Sequence, residues 1–299
     1  MKKYKNLLLL HLIVFIYGFT AILGALISIP SDELVWYRML IALIGILVFI
    51  LMKRAIQPLS FKEISMFLLT GIIIALHWIF FFEAIKVSTV SVTLVTLSSA
   101  TLFTALLEPL FFKRKVIFYE AIFGIIILFG LYMIFNFETQ YRLGIMYTLF
   151  SALMASLFTV INGKFATKYN PGTVSFYEMA GGFLGISVFF LFTSNFNLNM
   201  FSLSGNDLIY LLILGLVCTA FAFVVSISIM KELTPFTVTM TINLEPVYGI
   251  ILAYLIFRES EKMTTEFYLG ALIILATIFT NGWLKSKMRK RKVGSSIVV

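Results

Sequence analysis

The chain has 299 residues, 61% of them hydrophobic and 12% charged, with a mean hydropathy of +1.03. Charged residues at about half the share usual in soluble domains exclude an ordinary globular protein, and one cysteine with two histidines leaves a disulfide framework, a haem, a zinc site or an iron–sulfur cluster without support. The net charge of +9 does not point to nucleic acid, because six of the 23 basic residues fall between Lys285 and Lys292, beside an apolar segment where such clusters set topology and touch anionic lipid.

A helix crossing the hydrocarbon layer needs about 20 apolar residues. Ten stretches meet that condition, at about 7–28, 34–52, 64–83, 88–111, 118–136, 143–163, 172–193, 207–229, 235–257 and 266–285. Lys2, Lys3 and Lys5 before the first span imitate a secretory signal, but the apolar run is longer than a signal core, so the span is read as retained.

An ionisable side chain inside a span costs about 2.5–3.5 kcal/mol and needs a reason. In the second span that residue is Arg38, a turn from one end. The third carries His77 and Trp78 at mid-depth, with Glu83 and Lys86 three apart at its end, where a local ion pair is expected. The fourth carries Ser98, Thr101 and Glu108-Pro109, and the seventh carries Glu178. Arg38, Glu178 and Glu108 are read as gates or anchors, with Lys113 or Arg114 a possible partner for Glu108. Arg38 and Glu178 should lie too far apart in depth to pair.

In the ninth span Glu245 sits near the middle, beside Asn243 and on one face with Thr237, Thr241 and Tyr248. Pro246 should bend the helix and free the carbonyl of Ile242, and is counted with the gating residues. A carboxylate there suits a substrate amine or a proton; a helix–helix ion pair or a packed carboxyl is the plainer alternative. Glu245, His77, Trp78, Thr241, Asn243, Tyr248, Ser98 and Thr101 form the expected substrate-binding set, with no catalytic residue, metal or cofactor.

If the helices alternate from a cytoplasmic N-terminus, 18 basic residues face the cytoplasm and only Lys86, Arg142, Arg258 and Lys262 face outward. That bias places both termini inside. The sequence also repeats at an offset drifting from 139 to 146. Tyr37, Met39 and Gly45 meet Tyr177, Met179 and Gly185; Gly71 meets Gly215; Phe112 meets Phe257; Glu120 and Gly124 meet Glu266 and Gly270. Two five-helix halves, 1–137 and 138–285, followed by a basic tail 286–299, are therefore expected, and an odd helix number makes them inverted.

Taken together, Tyr37-Arg38-Met39, Ala84-Ile85-Lys86, Asn243-Leu244-Glu245-Pro246 and Phe257-Arg258-Glu259 carry a resemblance. The whole chain resembles the drug/metabolite transporter superfamily, in its ten-helix EamA-type branch. The resemblance implies an all-α membrane fold, a cavity lined mainly by spans 1, 3, 4, 6, 8 and 9, and export of small metabolites or amino acids. The first half departs from the family pattern at Thr101, where a proline is usual, and at Lys113-Arg114, where Gly-Glu is usual.

The expected function is thus a secondary transporter in the cell membrane, moving a small amino acid-like or aromatic solute by alternating access, with export the favoured direction. No phosphate-binding loop supports ATP-driven pumping. Protons are a candidate coupling ion, loaded on Glu245, and the protein is expected to work as a monomer or homodimer in the bilayer without nucleic acid. Nutrient uptake, lipid flipping and, least favoured, a membrane-embedded enzyme are the alternatives.

Overall fold

The structure is a computed structural model that describes residues 2–53, 57–113, 118–193, 196, 198–229, 241–242 and 244–295. The described residues are almost entirely helical and contain no strand. Helices α1 (Lys2–Leu26), α2 (Ser31–Lys53) and α3 (Phe61–Val87) are continuous. The fourth span is split into α4 (Val90–Leu97) and α5 (Ala100–Phe112), followed by α6 (Phe118–Phe137).

The second half opens with α7 (Arg142–Phe165) and α8 (Pro171–Thr193). Its third span runs from α9 (Gly205–Leu212) through a π-helical stretch, Ile213–Phe221, into α10 (Ala222–Ile229). Then come α11 (Glu245–Phe257) and α12 (Thr265–Ser295), the latter continuing through the basic tail. Among the described residues, seven helical stretches are long and apolar enough to cross a membrane, and Ile122–Phe137 and Thr265–Asn281 are shorter apolar helices.

Polar caps explain where the helices begin. Ser60 and Glu63 form a reciprocal capping box at the start of α3. Glu63 also accepts a 2.7 Å hydrogen bond from Tyr169, which raises the tyrosine pKa above its usual value. Glu261 accepts the backbone N–H groups of Val90 and Ser91 at 2.9 and 2.8 Å, and Glu138 accepts the N–H and hydroxyl of Thr264 at 2.9 and 2.7 Å. Glu261 thus caps α4 from a distant part of the chain.

The halves meet through small residues. In lipid, helices gain little from burying apolar surface, so close backbone approach supplies the attraction. A Cβ at Gly71 of α3 would collide with the carbonyl oxygen of Glu178 in α8. Between α6 and α12, a Cβ at Gly130 would lie 3.0 Å from the Gly270 carbonyl oxygen, and one at Gly270 would lie 2.9 Å from that of Gly130. The opposite, outward faces carry lipid-type side chains such as Phe61, Leu110 and Phe192, all widely exposed.

The helix contacts exchange in a regular way. Helix α3 packs on α8 and α2 on the π stretch; α1 packs on α11, and α4 with α5 pack on α7; α6 pairs with α12. Swapping the two halves converts each pairing into its counterpart. Lys113 and Arg258, at repeat offset 145, are also the two non-glycine residues with positive φ among the described residues, at 51° and 53°.

Candidate functional site

A cavity of about 160 Å³ lies between the halves. Its lining draws on α1, α3, α4, α5, α7, α10 and α11, and adds Arg38 of α2 and Cys218 of the π stretch. Interrupted helices shape it. After α4 the chain tightens into short-range bonds, Ser98 to Val95, Ser99 to Thr96 and Thr101 to Ser98, at 3.0 to 3.1 Å. The Ser156 hydroxyl reaches from α7 to the carbonyl oxygen of Ala100 at 2.7 Å, helping to satisfy the break.

At the same repeat position in the second half, α11 starts anew at Glu245, with Leu244 as its N-cap and Pro246 in its first turn. Pro246 therefore stands in the first turn of this helix, where its missing N–H costs nothing. Glu245 projects from this N-terminus into the cavity, and the helix dipole favours its negative charge.

Arg38 faces the same space, 2% exposed. Its Nε donates to Thr219 Oγ1 at 2.7 Å, and its guanidinium carbon stands 3.7 Å from the Trp78 ring centroid. The Thr219 hydroxyl in turn donates to the carbonyl oxygen of Leu214, five residues back, as the π geometry allows. One terminal nitrogen, Nη1, has no hydrogen-bond partner among the described residues. Arg38 and Glu245 do not form an ion pair; Lys262–Glu259 is the salt bridge found among the described residues.

His77 is oriented by Ser151. Its Nδ1 lies 3.0 Å from the Ser151 carbonyl oxygen and 2.7 Å from the hydroxyl, which donates to the His77 carbonyl at 2.8 Å. Because a carbonyl only accepts, the neutral ring carries its proton on Nδ1, and Nε2 is left as an acceptor. The wall is otherwise aromatic and apolar: Trp78, Phe81, Phe158 and Phe223 line it.

Of the expected binding set, Glu245, His77, Trp78, Ser98 and Thr101 come together here, as do Arg38 and Pro246 from the gating set. Tyr248 does not. Its ring packs edge-on against Phe15 of α1, 5.9 Å between centroids. Thr241 is partly buried and stands outside the lining, and Asn243 lies outside the described residues. Glu108 is half-buried away from the cavity. Glu178 is fully buried beside it, reached from Asn162. Lys86 bonds the carbonyl oxygen of Ile29 instead of pairing with Glu83.

Tyr17, Thr20, Asn162 and Ser226 add to the polar lining, beside Thr104, Ser156 and Thr159. Sequence reading passed over the first, second and fourth, since a hydroxyl in an apolar span carries no charge signal. Asn162 stands near the end of an apolar span, where a polar residue is ordinary.

The EamA-like transporter family matches the chain twice, over residues 5–136 and 142–283. The chain belongs to the EamA-like transporter family and is a multi-pass membrane protein. A protein of Archaeoglobus fulgidus named as an uncharacterized transporter is 23% identical over 284 residues, covering 93% of this chain and 96% of its own. A solved crystal structure, 14% identical, has a TM-score of 0.65 over 92% of this chain and 96% of that one, which speaks for the fold alone. The family and this relative's name point to membrane transport of a small solute.

Proposed function

We propose that the chain is a secondary transporter of ten membrane spans in two inverted halves, 1–137 and 138–285, both termini on the basic, cytoplasmic side, that exports a small zwitterionic solute with an apolar or aromatic body. The observation that carries the substrate class is the unpaired placement of Arg38 and Glu245 in one apolar cavity. A buried cation and a half-buried carboxylate left apart at membrane depth are costly unless a ligand completes them. Arg38 Nη1 is free to donate to a solute carboxylate, and Glu245 to accept from its ammonium. His77 Nε2 offers a second acceptor, and Trp78, Phe81, Phe158 and Phe223 an apolar seat.

The exchange of contacts between the halves, the two matches to one family and the breaks at Ser99 and Leu244 support inverted repeats. In such a fold the halves rock about a central site and open it to each side in turn. Metabolite profiling of medium from overexpressing cells tests the reading, with an Arg38→Ala, Glu245→Ala variant as comparison. An amino acid-like solute should accumulate outside only with the parent chain. Identical profiles for parent, variant and empty cells would refute export and turn attention to uptake.

A further inference from the structure

Glu178 is the one carboxylate in the described residues that is both fully enclosed and without a cation or backbone cap. Its side chain is 0% exposed, and its single hydrogen bond comes from Asn162 Nδ2 to Oε2 at 3.4 Å. Two acceptors here have no partner among the described residues: Glu178 Oε1 and Asn162 Oδ1. An ionised carboxylate would leave Oε1 enclosed without a donor and Oε2 with one long hydrogen bond, at a cost of several kcal/mol. One proton changes this arithmetic, because a carboxylic O–H on Glu178 is a donor that an amide oxygen can accept.

Among the described residues the surroundings offer no counter-charge. From α3 the facing residues are Leu68 and Gly71, and Glu63 of that helix is held by Ser60 and Tyr169. The α3 imidazole of His77 is held by Ser151. From α2, Met39 packs against Gly182 on the next turn of α8, while Arg38 turns to Thr219 and Trp78. From α7 comes Asn162, with Lys164 directed at the rings of Phe111 and Phe112. Tyr177, the next residue on α8, stacks near Phe67 and Phe176. Helix α10 contributes no ionisable residue.

Asn162 also lines the cavity, so it stands between Glu178 and the solute space. The backbone of Glu178 is moreover the surface on which Gly71 of the other half rests. A change in charge at Glu178 would therefore be felt at the contact between the halves.

We propose that Glu178 and Asn162 form a proton-binding site coupled to transport, distinct from the solute-binding groups Arg38 and Glu245. In the closed, dry arrangement the Glu178 O–H donates to Asn162 Oδ1. When water enters past Asn162, the O–H bond breaks and the proton passes to a water. The carboxylate left behind accepts from Asn162 Nδ2 and from water. Entry of the proton from the other side reverses these steps. The coupling rests on the transport reading above; the protonation of Glu178 does not.

Infrared spectroscopy of the full chain in lipid vesicles tests the site without any solute. At neutral pH the parent should show a carboxylic C=O band that is missing in Glu178→Gln, shifted in Asn162→Leu and retained in Glu245→Gln. Absence of the band in the parent, or its persistence in Glu178→Gln, would overturn the proposal. Tritiated L-phenylalanine then probes coupling in vesicles carrying a gradient of about one pH unit, which for one proton per solute amounts to about tenfold accumulation. Accumulation should disappear in Glu178→Gln and return in part in Glu178→Asp. Equal accumulation by parent and Glu178→Gln, or accumulation that follows sodium instead of pH, would remove the coupling. If the parent fails to move phenylalanine at all, the substrate reading falls and the infrared result still decides the site.

Discussion

Arg38 and Glu245 face one cavity without touching, and this arrangement governs what substitution should do. Arg38 makes two contacts and keeps one donor free: a bond to Thr219, a stack on Trp78 and an Nη1 with no partner among the described residues. Lysine cannot reproduce that fork. Arg38→Lys should therefore leave the fold intact and weaken solute affinity by about tenfold to a hundredfold, the loss of one charge-assisted hydrogen bond at about 1.5–3 kcal/mol. Equilibrium binding in detergent reads this directly, and unchanged affinity would separate Arg38 from the solute. Glu245→Gln should raise the apparent KM while leaving the pH profile of flux unaltered in shape, since Glu245 is assigned to the ammonium group. A flattened profile would return the proton to Glu245. Several other carboxylates already have structural partners: Glu63, Glu138 and Glu261 accept from backbone N–H groups at helix starts, and Asp207 accepts from Ser28 and Ser204.

Helix interruptions matter more than helix lengths in placing these groups. The breaks after Leu97 and before Glu245 fall at equivalent positions of the repeat, and each turns the start of a helix toward the cavity. The π stretch sets Thr219 where it meets Arg38. Where helices of opposite halves cross, the absence of a side chain sets their separation. Gly71→Ala should lower the thermal midpoint in detergent by an amount corresponding to about 3 kcal/mol, because its Cβ meets the carbonyl oxygen of Glu178 and backbone cannot yield cheaply. Gly163→Ala, whose nearest neighbour would be a Phe112 ring atom at 3.7 Å, should be close to neutral. Equal effects would mean that the α3–α8 crossing tolerates separation. Ser60→Ala removes the α3 cap and should cost about 1 kcal/mol on the same scale.

For the whole molecule, inverted halves predict access to one site from both sides of the membrane. A cysteine at Thr101, in a Cys218→Ala background, lines the cavity. An impermeant maleimide should label it from either face, and added solute should slow both reactions. Labelling from one face only, whatever the solute gradient, would contradict alternating access. Reporter domains fused to each terminus should both read cytoplasmic. Opposite readings would break the inverted-repeat topology.

Hydropathy, the bias of basic residues and the drifting repeat follow from composition and spacing, so membrane character and the family resemblance were legible from residues alone. Glu245, His77 and Trp78 were legible too, because a polar group in an apolar span is conspicuous wherever it folds. Packing decided the rest. Arg38, expected near a helix end as an anchor, is brought into the cavity by the π-helical turn that offers Thr219. Tyr248 is taken from the site by its packing against Phe15 of α1, a contact that spacing along one helix does not show. Periodicity assumes an unbroken helix, and only the three-dimensional contacts show where a helix breaks.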